Sequence, residues 1–205
     1  VQAREIQGRD GMVRAFSWIA LQIFEDLFKL SDTLSEIEAV HNPISPDELI
    51  DEMLAWKTSA LVVVTGDPGV GKSSWINELI LALSQADISF DGLVSPKIIE
   101  SEDRWRHDLI HIGSNEVRKL TTMDWIETDT TMGKFNFYPG TLDWGCEKLN
   151  EVETADCVII DEVGQLEFRE KGFFPAIQKL AVTFEGILIV TMRTTLESRL
   201  DQFLS

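Results

Sequence analysis

Apolar runs and helical repeats alternate along the chain from residue 59 onward. Continuous apolar runs rich in β-branched residues predict buried strands, whereas apolar residues three and four positions apart predict helices that cover a sheet. Strands are predicted at 60–65, 88–96, 157–161 and 187–192, and helices at 72–85, 139–152, 173–184 and 194–204. This alternation predicts an α/β fold with three layers and a mainly parallel sheet.

Between the second strand and the helix at 139–152 the pattern changes to short strand-like pieces separated by polar turns. These pieces are predicted at 97–100, 108–113, 117–121 and 134–138, and residues 122–133 have no clear period and are predicted to form a loop. Short strands at this spacing favour an antiparallel β-hairpin insertion into the α/β fold.

The first 56 residues differ from the rest of the chain. Apolar positions at 15–30 follow a helical spacing, and 32–40 is predicted to continue as helix. Prolines at 43 and 46 end this pattern, after which Ser45 or Asp47 is a candidate cap for a short helix through Trp56. We therefore expect an α-helical N-terminal appendage at 1–56 and an α/β domain at 57–205. The appendage would pack on the core or offer a surface for self-association or a protein partner.

The composition narrows the classes of function. The 205 residues carry a net charge of −17, which disfavours binding to nucleic acid or to anionic lipid surfaces. The two cysteines, Cys146 and Cys157, do not form a C-x-x-C pair, so a reduced cytoplasmic protein is expected. No uninterrupted apolar stretch is long enough to span a bilayer, so membrane insertion is not expected.

The strongest functional motif is Gly66-x-x-x-x-Gly71-Lys72-Ser73, which follows the first predicted strand and opens the first helix. This is the P-loop pattern, in which backbone N–H groups and the positive end of the helix surround phosphate oxygens. Lys72 would reach the β- and γ-phosphates, and Ser73 would ligate Mg²⁺. The residues predicted to hold the nucleotide are Gly66, Asp67, Pro68, Gly69, Val70, Gly71, Lys72, Ser73 and Ser74.

The second motif is the apolar strand at 157–161, which ends in Asp161 and Glu162. Behind a P-loop, such a strand is typical of a Walker B element, in which Asp161 would hold Mg²⁺. Glu162 would polarise a water molecule for attack on the γ-phosphate. Two solvated acids at the end of a core strand are the alternative interpretation.

The strand at 187–192 is a candidate for an additional strand between the P-loop strand and the Walker B strand. That position would bring Thr191 near the γ-phosphate or the attacking water. Arg193 would add positive charge to the transition state, and Arg199 is a weaker candidate for the same role. The alternative for Arg193 is a surface arginine or one paired with an acid.

Several other side chains have two interpretations each. Glu167 would either orient a basic group across the site or lie in solvent. His107 and His111 are spaced for a shared metal, but solvated hairpin histidines fit the surroundings better. Of the tryptophans considered as stacking partners for a base, Trp105 is the best candidate, because it lies between two arginines in the insertion. The others are Trp75, Trp125 and Trp144.

The motifs together resemble the THEP-type nucleoside-triphosphatases, small P-loop proteins of the additional-strand class. The resemblance spans about 60–192. It rests on the P-loop, on Phe90-Asp-Gly-Leu-Val-Ser95 followed by two arginines, and on Asp161-Glu-Val-Gly-Gln-Leu-Glu167. It implies Mg²⁺-dependent hydrolysis of ATP, GTP or other nucleoside triphosphates. Where the resemblance implies a histidine-bearing segment at the end of the family's fourth strand, this chain has Thr191-Met192-Arg193.

Three functions follow from these motifs. The first is a nucleoside-triphosphate hydrolase that uses Lys72, Glu162 and Arg193 in catalysis. The second is a nucleotide or small-molecule kinase that uses the same phosphate site, with 97–138 as the acceptor pocket. The third is a nucleotide-dependent switch that acts on a partner through residues 1–56.

Overall fold

The computed structural model describes residues 3–8, 11–17, 37–40, 45–56 and 59–199. Its strands before the P-loop are β1 (Ala3–Gly8), β2 (Gly11–Ser17) and β3 (Ile37–Val40), followed by β4 (Ala60–Gly66). Next come β5 (Phe90–Val94), β6 (Lys97–Ser101), β7 (Arg104–His111), β8 (Val117–Lys119), β9 (Thr121–Thr122), β10 (Thr131–Met132) and β11 (Phe135–Phe137). The last two are β12 (Cys157–Val163) and β13 (Ile187–Met192).

The described helices are α1 (Pro46–Ala55), α2 (Lys72–Gln85), α3 (Thr141–Asn150) and α4 (Phe174–Thr183), with 3₁₀ turns at Glu167–Arg169 and Thr194–Arg199. Ser45 caps α1, because its hydroxyl accepts from the Glu48 N–H at 3.2 Å while the Glu48 carboxylate accepts from the Ser45 N–H at 2.8 Å. Of the two candidate caps, the structure therefore selects Ser45.

The main sheet has the order β3-β1-β2-β4-β13-β12-β5-β7-β6, with β8 beside β7. The four central strands β4, β13, β12 and β5 run parallel. The additional strand is confirmed, since β13 pairs with β4 on one side and with β12 on the other. A separate antiparallel sheet of β10, β11 and β9 forms part of the insertion.

Alternating residues of the central strands fill two apolar cores, one on each face of the sheet. Val62, Ile159 and Ile189 face a core shared with α1 and α2, through side chains such as Leu49 and Leu79. On the opposite face, the strand residues Val63, Ile160 and Val190 belong to a second core, which contains Leu149 of α3 and Ile177 of α4. The predicted three-layer α/β fold is confirmed.

The helical prediction for the first 56 residues requires correction. Pro46–Ala55 is helical, but β2 lies where the helix at 15–30 was expected to begin, and β3 lies where 32–40 was expected to continue. Residues 18–36 lie outside the described residues. β2 pairs antiparallel with β4 from Gly11 to Ser17, so pairing with the strand before the P-loop replaces a local helix. The division at residue 57 remains an expectation.

Candidate active site

The P-loop joins β4 to α2 at the carboxyl edge of the parallel sheet. Gly69 and Gly71 have φ angles of +84° and +107°, which residues with a Cβ atom rarely adopt. Asp67, Pro68 and Gly69 are exposed. The loop backbone is therefore turned outward at the start of α2, which is the arrangement that an anion-binding loop requires.

Lys72 is folded back onto this loop. Its Nζ donates to the carbonyl oxygens of Gly66 at 2.7 Å and of Asp67 at 3.2 Å. Burial lowers the pKa of Lys72; the charge of Arg193 acts in the same direction, and Glu162 acts against it. Lys72, Arg193 and Glu162 therefore interact electrostatically, although they lie far apart in the sequence.

Asp161 and Glu162 lie near the end of β12, where the pairing with β13 shifts by one residue. Ile160 pairs with Val190, but Val163 pairs with Met192, so Asp161 and Glu162 form a bulge. Glu162 has a φ angle of +67°, which is uncommon for a residue other than glycine. Bulges and positive φ angles are enriched next to active sites, where they redirect a side chain.

Thr191 of β13 fixes both acids. Its buried hydroxyl donates to Asp161 Oδ1 at 2.8 Å and accepts from the Glu162 N–H at 2.7 Å. Asp161 is itself 5% exposed, and burial raises its pKa, against which the hydrogen bonds from Thr191 and from the Ser95 backbone act. The expected position of Thr191 near the γ-phosphate or the attacking water stays a prediction; the geometry shows that Thr191 contacts both acids.

Arg193 follows β13 and pairs with Glu162. Its Nη2 lies 2.8 Å from Glu162 Oε1, with the side chains 51% and 38% exposed. The three predicted catalytic residues, Lys72, Glu162 and Arg193, thus interact electrostatically with one another. Arg199 does not join them, because its guanidinium donates to the Phe168 carbonyl oxygen and lies over the Phe168 ring.

Glu167 has neither of its two expected positions. It is 4% exposed, and its carboxylate accepts from the N–H groups of Gly164 at 2.8 Å and Phe173 at 3.0 Å. Burial raises its pKa, while these hydrogen bonds oppose the shift. Glu167 therefore holds together the loop that follows β12. The sequence gave no sign of this role, because Glu167 and Phe173 are six residues apart and share no regular helix or strand pattern.

The histidines of the insertion do not share a ligand. His111 Nδ1 lies 2.8 Å from Ser114 Oγ and its Nε2 lies 3.0 Å from Asp91 Oδ1, whereas His107 Nδ1 lies 3.0 Å from Thr121 Oγ1. Within the described residues, no group of three or more histidine, cysteine or acidic side chains is arranged to hold a metal.

The tryptophans occupy different environments. Trp144 is buried in the core, Trp75 packs at the edge of the other core, and Trp125 is 85% exposed. Trp105 is half-buried, and the ammonium groups of two lysines contact its ring. None of the helices in the described ranges has both the length and the apolar character needed to cross a bilayer.

The fold and the motifs at the edge of its sheet define a P-loop protein with an additional strand between the P-loop strand and the acidic strand. A sequence model of the NTPase family matches residues 61–205. The chain belongs to the THEP-type nucleoside-triphosphatase family.

Known proteins similar to this chain carry the same family name. The nucleoside-triphosphatase THEP1 of Natranaerobius thermophilus is 26% identical over 139 residues, which cover 66% of this chain and 77% of that protein. THEP1 of Saccharolobus solfataricus is 29% identical over 133 residues, which cover 62% of this chain and 70% of that protein.

Two solved structures share the fold. The solution structure of a human cancer-related nucleoside triphosphatase has a TM-score of 0.52 at 19% identity. The match covers 65% of this chain and 74% of that chain. The crystal structure of THEP1 from the hyperthermophile Aquifex aeolicus has a TM-score of 0.50 at 15% identity. The match covers 70% of this chain and 83% of that chain.

Proposed function

We propose that this protein is a Mg²⁺-dependent hydrolase that converts ATP or GTP to the nucleoside diphosphate and phosphate. The observation that carries the proposal is the position of Asp161 and Glu162, which Thr191 holds on the strand next to the additional strand. Their charges act on Lys72 of the P-loop, so the acidic pair and the phosphate-binding lysine belong to one site. The family's nucleoside-triphosphatases are consistent with this chemistry.

The P-loop would bind the triphosphate. Backbone N–H groups from Gly66 to Ser74 and the positive end of α2 would surround the phosphate oxygens. Lys72 would exchange the carbonyl oxygens of Gly66 and Asp67 for the β- and γ-phosphates, a change from neutral acceptors to charged ones. The exposed loop leaves the approach to these groups open.

The residues present fit a magnesium ion. Ser73 and Asp161 offer oxygen ligands, which this hard cation prefers. The buried Asp161 carboxylate accepts hydrogen bonds but has no salt-bridge partner among the described residues, so a cation would compensate its charge. Two protein ligands suffice, since Mg²⁺ usually completes its shell with phosphate oxygens and water. When bound, it would neutralise charge on the β- and γ-phosphate oxygens.

Glu162 would act as the group that activates water. Its positive φ angle turns it away from the regular path of β12, and its side chain is partly exposed. Its carboxylate would accept a proton from the attacking water as the new oxygen–phosphorus bond forms and the bond between the γ-phosphorus and the bridging oxygen breaks. The ion pair with Arg193 must open or rotate for this role.

Arg193 would then stabilise the charge that develops on the transferred phosphoryl group. Its guanidinium is half-exposed and lies next to Glu162, so it would be accessible to a bound triphosphate. The alternative is that Arg193 only neutralises Glu162. Replacement of Arg193 by alanine distinguishes these roles, because loss of a transition-state contact lowers kcat about 10²-fold.

The direct test is to incubate the protein with Mg²⁺ and ATP or GTP and to follow free phosphate, with and without candidate acceptors. Phosphate release without an acceptor supports hydrolysis. Loss of nucleoside triphosphate that depends on an acceptor and yields no free phosphate would replace the proposal with a kinase. The Lys72→Ala variant serves as the background control, since it removes the lysine that binds the phosphates.

A further inference from the structure

Two lysines of the insertion lie over the same tryptophan. Lys97 Nζ is 4.0 Å and Lys134 Nζ is 3.4 Å from the centroid of the Trp105 ring. Phe135 borders this ring at 6.0 Å between centroids, and His107 contacts Phe135 edge-on at 5.2 Å. Attraction between each cation and the indole ring holds both ammonium groups at the same side chain. We call Lys97, Trp105, His107 and Lys134 the insertion cluster.

The β6–β7 hairpin separates two kinds of charge. Lys97 pairs with His107 and Ile99 with Trp105, and cross-strand partners share a face, so these residues lie on one side of the hairpin. Arg106, which pairs with Ile98, lies on the other side, where its guanidinium binds Glu100 at 3.0 Å and Asp108 at 2.8 Å. One face therefore carries a compensated arginine and the other carries the insertion cluster.

The lysines of the insertion cluster lack such compensation. In the described ranges, neither Lys97 nor Lys134 lies within salt-bridge distance of a carboxylate. This is notable in a chain with 35 acidic and only 18 basic residues. Two ammonium groups at one ring repel each other, and an anion bound by both would reduce that repulsion. The arrangement is therefore suited to a compact anion with more than one negative charge.

The strands that carry the insertion cluster lie beyond the acidic strand β12, on the side away from the P-loop strand. In the sheet, β13 and β12 separate β4 from β5, and β7 and β6 follow beyond β5. Lys97 comes two residues after Ser95, whose backbone N–H donates to Asp161. His107 interacts electrostatically with Glu162, Arg193 and Lys97. An anion at the insertion cluster would thus face the γ-phosphoryl group from the side opposite the P-loop lysine.

We propose that the insertion cluster is an anion site that binds a phosphate dianion beside the γ-phosphoryl position. The role rests on the proposed function, because the P-loop nucleotide defines that position. Lys97 and Lys134 would supply the charge, and Trp105 would keep them together before the anion arrives. The dianion has two possible sources, the phosphate released by hydrolysis and the phosphomonoester of a second substrate.

The test uses the full chain with its P-loop filled by Mg²⁺ and the non-hydrolysable analogue AMP-PNP. Inorganic phosphate, GMP and guanosine are titrated separately in a calorimeter. We expect phosphate and GMP to bind and guanosine not to bind. The double variant Lys97→Ala/Lys134→Ala should bind both anions at least tenfold more weakly. The matched control is Lys171→Ala/Lys179→Ala, which removes two exposed lysines elsewhere and should bind like the unmodified chain.

The outcomes distinguish the two sources of the anion and test whether the anion site exists. Tighter binding of GMP than of phosphate identifies a phosphomonoester substrate, and equal or weaker binding identifies the released phosphate. Wild-type-like binding in Lys97→Ala/Lys134→Ala, or equal binding of guanosine and GMP, would overturn the anion site. If that double variant does not fold, Lys97→Gln and Lys134→Gln are tested singly against the same criteria.

Hydrolysis is followed in the same preparation. Release of phosphate from ATP or GTP together with no anion binding would reject the anion site alone. Anion binding without hydrolysis would reject the proposed hydrolase function alone.

Discussion

Thr191 is the residue on which the geometry of both acids depends. Its hydroxyl connects a buried carboxylate, Asp161, to the backbone of Glu162, which has a positive φ angle. A strained backbone persists only where its surroundings fix it, and this hydrogen bond is one such constraint. A hydroxyl at this position therefore serves both the metal ligand and the water-activating group that we propose.

Replacing Thr191 by valine, which has the same shape without the hydroxyl, should lower both stability and turnover. The Glu162 N–H and the Asp161 carboxylate would each lose a partner, which costs about 1–3 kcal/mol. Urea unfolding and phosphate release measure the two effects. Thr191→Ser keeps the hydroxyl and should retain most of the turnover; equal turnover in the serine and valine variants would contradict this role.

His107 makes the free energy of unfolding depend on pH. Burial lowers its pKa, so the native state disfavours the proton that the unfolded chain binds near the ordinary value of about 6.5. Its contribution to stability is present above that pH and is lost as the pH falls below it. His107→Gln should remove this loss. The unfolding free energies of wild type and variant should diverge between pH 7.5 and 5.5; a constant difference would contradict the prediction.

At the residue scale, the sequence predicts those parts of the site that depend on local spacing. The P-loop and the Asp161-Glu162 strand end are contiguous in sequence, so residue type and order suffice to locate them. Glu167 could not be placed in this way. Its partners include the Phe173 N–H, and only the folded loop brings that group to the carboxylate.

At the scale of elements, α1 is a structural part of the α/β core. Leu49, Ile50 and Met53 are buried with α2 residues such as Leu79 and Leu83. The sequence predicted this helix with Ser45 or Asp47 as its cap, and the structure selects Ser45, which pairs with Glu48. The strands β1–β3 were missed because the spacing of apolar residues at 15–30 favoured a helix and because two of their pairings are distant in sequence, β2 with β4 and β3 with β1. The pairing of β1 with β2 is local, but no strand was predicted at either position.

Leu49→Ala should destabilise the protein by about 2–5 kcal/mol, since it leaves a cavity between α1 and α2. Leu54 lies on the same helix but is 67% exposed, so Leu54→Ala should change stability by less than about 0.5 kcal/mol. Thermal unfolding of both variants checks the contrast. Similar midpoints for the two would show that α1 does not contribute to the core.

For the whole molecule, the net charge of −17 is the dominant electrostatic property. Repulsion among like charges opposes compactness, and dissolved salt screens it over about 10 Å at 0.1 M. Potassium chloride raised from 0.05 to 0.3 M should therefore increase the thermal midpoint. Chloride is preferred to sulfate, which stabilises folds by exclusion from protein surfaces. A lower midpoint would indicate that attractive ion pairs outweigh the repulsion.

The central claim is that Glu162 activates water for attack on a nucleotide held by the P-loop. Its most direct test is phosphate release by Glu162→Gln, measured beside binding of Mg²⁺ and ATP or GTP. Glutamine keeps the size of the side chain but is a poor proton acceptor. We expect turnover to fall at least 10²-fold, as for loss of a general base, while the bound triphosphate remains intact. Unchanged turnover in this variant would contradict the account.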